Sequence, residues 1–260
     1  MKNFKYIIYK IAPAIFITLI LAMWFLVTQF GIVSEFLLPS PQKVFLAFIN
    51  DFDTISKNLL TTLSEAFIGL FIAVIIAFLV SFLMDRFTFL YKSIYPVLVI
   101  TQTIPTVAIA PILVLWFGYN MLPKIILITI SCFFPIAVSI LNGFKNIDVS
   151  HINLLKTMGA GNLDIFFHIK LPFSLINFFS GFKIAMSYSV VGAVIAEWLG
   201  GYSGLGVYML RVKKSYEFDK MFAVIILVSL ISVLLIYLVD VVQKVAVPWI
   251  NDKGEAGKNV

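Results

Sequence analysis

Long uncharged apolar segments alternate with short polar ones along almost the whole chain. A helix that crosses a bilayer needs about 20 mostly apolar residues, because each residue adds about 1.5 Å against a hydrocarbon core of about 30 Å. Counting between charged residues therefore predicts six membrane-spanning helices, the sixth less regular because it contains Lys183. They are Ile11 to Gly31, Ala66 to Met84, the run between Lys92 and Lys124, Ile125 to Leu141, Met221 to Val239 and the less regular Phe173 to Ala196.

The third of these runs is too long and too rich in proline for one straight helix. Its prolines are Pro96, Pro105, Pro111 and Pro123. An internal proline removes a backbone hydrogen bond, and such breaks are tolerated at membrane depth only beside protein or water. We expect this run to line an interior of the protein, and the alternative that the kinks serve packing alone stays open.

Composition agrees with a membrane protein. The chain of 260 residues is 61% hydrophobic and 12% charged, with a mean hydropathy of +1.04, whereas soluble domains contain roughly 25% charged residues. The net charge of +6 is better explained by basic loops at a membrane surface than by nucleic acid. The single cysteine, Cys132, lies in an apolar run and is expected to be a small buried hydrophobe.

Basic residues predict the orientation. With the amino terminus in the cytoplasm, eleven lysines and arginines fall on the inner side and seven, Lys124 among them, on the outer side, as the positive-inside rule requires. The first apolar run is too long for the core of a cleaved signal, so it is expected to remain as a span. This gives a cytoplasmic amino terminus at 1–10, one membrane domain at 11–247 and a cytoplasmic tail at 248–260.

Two segments on the predicted outer side have structure of their own. In Leu37–Asn50, Ser40 precedes Pro41 in the arrangement typical of a helix start. Apolar residues at helical spacing, which are Val44, Phe45, Phe48 and Ile49, then predict a short interfacial helix. The sequence GGYSGLG at 200–206 predicts a sharp turn, or else an ordinary flexible loop.

The predicted cytoplasmic segment at 146–172 is too apolar for a simple linker. Ile152, Leu155 and Met158 recur at helical spacing before Gly159, and Ile165, Phe166 and Ile169 do so after it. We predict two short amphipathic helices joined at a glycine corner, with Gly159 in a left-handed conformation. Exposed apolar stripes mark docking surfaces, and the residues alone leave open whether the membrane surface or another protein is the partner.

At this segment the sequence resembles a known family. Gly159 followed by nine residues and Ile-Lys-Leu-Pro matches G-x9-I-x-L-P, the latter half of the cytoplasmic loop signature of ABC importer permeases. Further similarities cover nearly the whole chain: LLPSPQKV, IPTVAIAPILVLWFG and AEWLGGYSGLG resemble segments near the second, third and fifth spans of that family. Together they resemble the branch that includes permeases for nitrate, sulfonates, taurine and the pyrimidine precursor of thiamine.

The resemblance implies an all-α membrane protein with six spans, the type I ABC importer permease fold and a coupling helix in the cytoplasmic loop. It implies a bacterial-type inner membrane, a second permease copy, two cytoplasmic ATPase subunits that hold ATP and Mg, and an external solute-binding protein. The chain itself has no G-x4-G-K-[ST] phosphate cradle, and no cofactor and no nucleic acid are expected. The residues expected to couple to the ATPase are Asn153, Leu155, Met158, Gly159, Ala160, Ile169, Leu171 and Pro172. Pro172 is also expected to set the angle at which the loop enters the fifth span.

Two departures from the family pattern stand out. The signature usually begins with Glu-Ala-Ala, but this chain has Asn153, Leu154 and Leu155, so a carboxylate that usually stabilises the loop is missing. The family also usually has a basic residue near position 65, where this chain has Glu65.

Polar residues within the spans are the candidates for solute contacts, and the expected solutes are a thiamine pyrimidine precursor or a sulfonate-like or nitrate-like anion. The candidates for the translocation pathway are Gln102, Thr103, Pro105, Thr106, Ser187, Tyr188, Ser189 and Glu197. Serine and threonine also satisfy helix backbones, so each hydroxyl has a structural alternative. Glu197 has two open roles, part of an outer gate or a carboxylate at the water interface.

Other ionisable residues have structural interpretations. Lys183 is expected to snorkel or to pair with an acid on another helix, and Asp240 to pair with Lys244 at i, i+4. His151 and His168 are too isolated for a metal site. An ion-coupled secondary transporter would need acids within several spans and a repeat between halves, and a membrane enzyme would need a catalytic cluster; the sequence shows neither.

Overall fold

The computed structural model describes the backbone of residues 2–248 and the side chains of residues 11–248, and within these bounds the chain is helical without a strand. A π turn, Phe166–Lys170, connects α8 to α9 without a break in the helix. The helices are α1 (Lys2–Gln29), α2 (Pro41–Asn50), α3 (Phe52–Arg86), α4 (Thr88–Thr103), α5 (Thr106–Phe117), α6 (Met121–Lys145), α7 (Val149–Thr157), α8 (Asn162–Ile165), α9 (Leu171–Gly200), α10 (Leu205–Lys214) and α11 (Phe218–Ala246).

Five of these segments are long and apolar enough to cross a membrane alone, and α4 and α5 pass the same test together as a bent pair, which makes six when the pair is counted as one span. The five are α1 from Ile11, α3, α6, α11 and the continuous helix from Asn162 to Gly200. This confirms the six predicted spans. The broken span bends by 98° between α4 and α5, because Pro105 supplies no backbone donor at the break. Pro96 and Pro111 lie inside helices that continue through them.

The larger of two compact units comprises residues 59–207 and the described residues from Val228 to 248. Its core is formed by the facing sides of α3, α6 and α9, where alanine and glycine allow the helices to approach closely. A Cβ added to Gly181 of α9 would lie only 2.4 Å from the backbone oxygen of Pro135 of α6. Small residues at helix contacts are the usual means of packing helices within a membrane.

The smaller unit comprises residues up to Asn58 together with Tyr208–Leu227. Ser40 is the N-cap residue of α2 and Pro41 its first residue, as predicted, but the buried residues of α2 are Val44 and Ala47. Phe45 and Ile49 are exposed, as apolar side chains that face lipid would be, so the expected interfacial role of α2 stays a prediction. The indole of Trp24 donates to the backbone oxygen of Pro39 at 3.1 Å and thereby fixes the approach to α2.

Three expectations about individual residues need correction. Pro172 does not mark an angle at the entrance of a span, because the helix is continuous from the π turn into α9. Asp240 of α11 forms an ion pair with Lys183 of α9, so the expected pair of Asp240 with Lys244 is wrong, whereas the expectation that Lys183 pairs with an acid on another helix is confirmed. Lys124 is not an outer-loop residue but a buried residue in the first turn of α6.

Candidate coupling and translocation sites

The segment between α6 and α9 is a well-defined structure with caps at each end. Asp148 is the N-cap of α7, and its carboxylate accepts from the backbone and hydroxyl of Ser150 at 2.8 and 2.7 Å. These hydrogen bonds lower the pKa of Asp148, the backbone donor having the largest effect. An N-cap carboxylate stabilises a helix by accepting from backbone N–H groups that have no partner within the helix. The cap helps to order a loop that lacks the usual glutamate.

Gly159 forms the predicted corner. Its φ is +84°, a conformation that costs other residues roughly 1–2 kcal/mol. Its backbone N–H donates to Lys156 and that of Ala160 donates to Leu155, each at 3.0 Å, which is the Schellman arrangement that ends a helix. The backbone N–H of Gly161 then donates to the carboxylate of Asp164 at 2.9 Å and starts the next helix.

The apolar residues of this segment face two ways. Ile165 and Ile169 are buried, and Phe166 packs against Phe82 of α3 and Phe144 of α6 with ring centroids 4.7 and 5.9 Å apart. A different set of apolar residues is exposed, and we call this set the coupling face: Leu154, Met158, Leu163 and Phe167. Of the predicted stripe before the corner, Met158 is exposed while Ile152 and Leu155 are half-buried. The predicted stripe after the corner, Ile165, Phe166 and Ile169, therefore packs against the protein and is not available as a docking surface.

The remaining predicted coupling residues divide in the same way. Asn153 and Gly159 are exposed, Ala160 is half-buried, and Leu171 and Pro172 are half-buried at the start of α9. An ion pair holds this end of α9 to α3: Lys170 Nζ lies 2.8 and 2.7 Å from the two carboxylate oxygens of Asp85. Beside this pair is a cavity of about 510 Å³, lined among others by Arg86, Lys156 and Leu163. The loop is thus fixed to two spans and exposed on its far side.

A second cavity, of about 190 Å³, lies at the break between α4 and α5. We call it the break cavity. Its walls come from the end of α4, the start of α5 and the middle of α6 and α9. Its lining residues are Thr101, Gln102, Ile104, Thr106, Ile109, Ile130, Ser131, Tyr188, Val191, Gly192 and Ile195.

The structure brings together only some of the predicted pathway residues. Gln102, Thr106 and Tyr188 line the break cavity. Thr103 lies outside it, and Pro105 is the N-cap residue of α5. Ser189 is buried and donates to the backbone of Met186, which is the structural role foreseen as its alternative, and Ser187 lies outside the lining. Thr101 and Ser131 line the cavity as well and were not foreseen.

Glu197 belongs to a buried polar cluster at the opposite ends of the spans from the coupling loop. Its carboxylate accepts from the hydroxyl of Thr62 at 2.7 Å and from the backbone of Gly206 at 2.6 Å. Thr62 accepts in turn from the backbone of Leu205 at 2.9 Å. The side chain is only 1% exposed, so it is not a carboxylate at the water interface. It fixes the glycine-rich turn between α9 and α10 to α3.

Glu65 and Lys124 complete this cluster. Lys124 Nζ lies 2.5 Å from Oε1 of Glu65, and the two side chains are 5% and 2% exposed, respectively. Oε2 of Glu65 is buried and accepts no hydrogen bond among the described residues. The pair joins α3 to α6. Sequence reasoning missed it because 59 residues separate the partners, although ionisable residues of opposite sign in apolar surroundings are a signal for such a pair.

Together these features describe a multi-pass membrane protein with a cavity at a bent pair of helices and, at one end, a loop with exposed apolar side chains. Within the described residues, no group of three or more His, Cys, Asp or Glu side chains is placed to hold a metal ion. The family model for binding-protein-dependent transport system inner membrane components matches residues 69–252. The chain belongs to this family, whose members include the permease subunits of ABC importers.

Individual relatives agree with this assignment. A probable ABC transporter permease protein of Haemophilus influenzae is 31% identical over 228 residues, covering 88% of this chain and 93% of the relative. The formylaminopyrimidine transport permease protein ThiX of Halalkalibacterium halodurans is 32% identical over 238 residues, covering 91% and 95%. More distant relatives are named as permeases for aliphatic sulfonates, taurine and nitrate, which confirms the predicted branch.

The fold is that of a solved ABC importer. The chain matches a subunit of the inward-facing MetNI methionine ABC transporter with a TM-score of 0.64 and 20% identity, covering 76% of this chain and 96% of that subunit. This confirms the type I importer permease fold. The chain is a multi-pass membrane permease subunit of an ABC importer.

Proposed function

We propose that the segment from Asn146 to Pro172 transmits the closure of a cytoplasmic ATPase dimer to the membrane spans. The observation that carries this proposal is the two-sided loop: the coupling face is exposed, while the opposite side is held to α3 by the ion pair between Asp85 and Lys170 and to α3 and α6 by the packing of Phe166. A surface fixed in this way moves the spans when it is pushed. A flexible loop would absorb the movement instead.

The proposal includes the partners. Two ATPase subunits bind ATP and Mg in the cytoplasm, a second copy of this permease completes the channel, and a binding protein delivers the solute from outside. The coupling face and both termini lie on the cytoplasmic side of a bacterial inner membrane. The excess of basic residues on that side supports this orientation. The excess becomes larger when Lys124, which forms a buried ion pair, is no longer counted among the outer basic residues.

The relatives' names point to two kinds of solute. The formylaminopyrimidine permease is 32% identical to this chain, which favours a pyrimidine precursor of thiamine as the solute. The sulfonate, taurine and nitrate permeases favour a small anion.

Affinity purification of this chain from its native membrane tests the central proposal. We expect an ATPase to co-purify, and we expect the double variant Leu154→Asp, Met158→Asp to lose it, because charges in an apolar interface are not compensated. Tyr202→Asp is the matched control, since Tyr202 is 80% exposed in the turn after α9. Retention of the ATPase by the double variant would contradict the proposal.

Uptake into liposomes tests the alternative of an ion-coupled transporter. We expect liposomes that contain this chain alone to accumulate no solute in the presence of a proton or sodium gradient, and liposomes with the complete complex to accumulate solute only with ATP. Accumulation by the chain alone would overturn the assignment of the energy source to an ATPase.

A further inference from the structure

The break cavity has a chemical character that narrows the class of solute. None of its eleven lining residues carries a charge. An anion or a cation transferred from water to such a site would lose hydration without gaining a counter-ion, which is costly at membrane depth. A neutral solute loses much less, because hydroxyl and amide groups can replace its hydrogen bonds to water.

The polar groups of the break cavity offer both donors and acceptors. The side chains of Gln102, Thr106 and Tyr188 form no hydrogen bond among the described residues, so their hydrogen-bonding capacity is available to a solute. The hydroxyls of Thr101 and Ser131 donate to Leu98 and Leu127 of their own helices, at 2.7 and 2.9 Å, and keep lone pairs as acceptors. A carboxamide can donate and accept at once.

The backbone at the break does not favour one sign of charge. The carboxyl end of α4, which carries partial negative charge, meets the amino end of α5, which carries partial positive charge. The first N–H groups of one helix and the last carbonyl groups of the other lack partners within their helices. Some of these groups already have partners, since the N–H of Ile104 donates to Thr101 and that of Ala108 to Pro105. The break therefore supplies both donors and acceptors but no charged side chain that would bind an oxyanion.

The volume and the walls of the break cavity fit a single ring. An apolar cavity of about 150 Å³ accommodates a benzene molecule, so a cavity of about 190 Å³ suits one six-membered ring with small substituents. Tyr188 contributes an aromatic side chain to the lining, and the apolar walls come from Ile104, Ile109, Ile130, Val191 and Ile195. Aromatic and aliphatic walls with a few polar groups are typical of sites for planar ligands.

We propose that the break cavity is a contact site for an uncharged, planar, single-ring heteroaromatic solute that carries both donor and acceptor groups, and that it disfavours sulfonate, nitrate and other small anions. This inference rests on the proposed function, because the cavity meets a solute only if the chain conducts one. Gln102 pairs with the edge of the ring, and Tyr188 contacts its face.

The experiment uses a cysteine probe in the assembled complex. Cys132 is the only cysteine of the chain, and Cys132→Ser gives a thiol-free permease that retains a donor to the backbone of Ala185. In this background, Thr106→Cys places a thiol in the break cavity. Its thiolate attacks the sulfenyl sulfur of a methanethiosulfonate reagent, forms a mixed disulfide and releases methanesulfinate, so the labelling rate reports access to the cavity.

We expect cytosine, a neutral planar ring with donors and acceptors, to slow the labelling of Thr106→Cys several-fold, and methanesulfonate and nitrate to leave the rate unchanged. We expect a negatively charged reagent to label on the order of tenfold more slowly than a neutral one. Tyr119→Cys is the control, because Tyr119 is 59% exposed and outside the lining. Its labelling rate should not respond to cytosine.

Two variants of Gln102 sharpen the test. Gln102→Leu should abolish the protection by cytosine, and Gln102→Lys should make the anionic reagent the faster one. Protection by methanesulfonate equal to that by cytosine would overturn the inference, and so would the absence of protection by every probe. Failure of the proposed function is distinguishable, because it appears as loss of the co-purifying ATPase, whereas failure of the solute class leaves the ATPase in place.

Discussion

Lys124 Nζ lies 2.5 Å from Oε1 of Glu65, and both side chains are buried where α6 and α3 meet. Removing one partner of a buried ion pair leaves an uncompensated charge, which costs about 3–5 kcal/mol, whereas replacing both partners with apolar residues of similar volume is close to neutral. The free-energy cost of losing this ion pair therefore depends on whether one partner or both are replaced. A double-mutant comparison separates the two cases.

We therefore expect Lys124→Met to lower the unfolding free energy by about 3–5 kcal/mol and Glu65→Leu, Lys124→Met to restore most of it. Cys132 is buried and its thiol is the only one in the sequence, so a thiol-reactive dye in detergent reports unfolding directly. Equal unfolding midpoints for the single and the double variant would show that the pair does not compensate a buried charge.

A second prediction concerns the turn that Glu197 holds. A Cβ added to Gly204, whose φ is +116°, would lie 2.1 Å from Oε1 of Glu197. The carboxylate cannot move aside without losing its hydrogen bonds from Thr62 and Gly206, and a hydrogen bond to a charged group contributes about 1.5–3 kcal/mol. We expect Gly204→Ala to be strongly destabilising.

The matched control for this prediction is Gly118→Ala. Gly118 also has a positive φ, +78°, but a Cβ there would meet no atom within 4 Å. Its ψ is −174°, a region almost exclusive to glycine, so the substitution should cost only a backbone penalty of roughly 1–3 kcal/mol. The unfolding midpoint of Gly204→Ala should therefore be clearly below that of Gly118→Ala, and equal midpoints would refute the role of Glu197 as the anchor of the turn.

The spans and the glycine corner were predictable from sequence because both depend on local patterns. Apolar runs of about 20 residues mark the helices, and a glycine after a periodic run marks a helix end in the left-handed conformation. The ion pairs were harder to predict, because they depend on which helix faces which. Asp240 had a nearby lysine at i, i+4, yet in the structure it pairs with Lys183 of α9.

For a similar reason, the sequence could not show which side of the coupling segment faces the protein. Helical spacing identified apolar stripes on both sides of Gly159, but spacing alone does not say which stripe faces the protein. Phe166 packs between Phe82 and Phe144, which come from two other helices. Only the packed structure shows that Leu163 and Phe167, on the other side, are exposed.

A third prediction tests the corner itself. A Cβ at Gly159 would meet no atom within 4 Å, so only the φ of +84° opposes a side chain there. We expect Gly159→Val to leave the protein in the membrane but to uncouple ATP hydrolysis from uptake, because a β-branched residue shifts the corner out of the left-handed region. Uptake and ATPase activity are measured in the same proteoliposomes.

Gly159→Asn is the control for the corner, since asparagine adopts the left-handed conformation more readily than valine. It should keep most of the coupled uptake. Normal uptake by Gly159→Val would count against a role for the backbone at this position, and equal losses in both variants would indicate that the side chain, not the backbone angle, is what the partner rejects.

A fourth prediction uses pH. The hydroxyl of Tyr208 donates to the carboxylate of Asp51 at 2.5 Å. This hydrogen bond has the largest effect in lowering the pKa of Asp51, and Lys220 lowers it further. Burial and the same hydrogen bond raise the pKa of Tyr208. A carboxyl whose pKa is lowered by folding contributes stability above its ordinary pKa, and loses it as the pH falls through the lowered value.

Tyr208→Phe should therefore reduce stability at neutral pH and have a smaller effect in acid, below the lowered pKa of Asp51. The measurement is the unfolding midpoint of both proteins from neutral to acidic pH, followed with the dye that reacts with Cys132. A difference between the two proteins that stays constant across this range would mean that Tyr208 stabilises by packing alone.

The ion pair between Asp85 and Lys170 gives the last prediction. The two side chains are 19% and 22% exposed, so solvent screens the pair and its contribution to stability is expected to be about 1 kcal/mol or less. Its position matters more, because it holds the coupling loop to α3. Lys170→Met should therefore lower coupled uptake much more than it lowers the unfolding midpoint, and Lys170→Asp should do so more strongly because like charges then face each other.

The exchange Asp85→Lys, Lys170→Asp restores an attractive pair in the same place and should recover uptake. If the exchanged variant transports no better than Lys170→Asp, the pair does not transmit the movement of the loop.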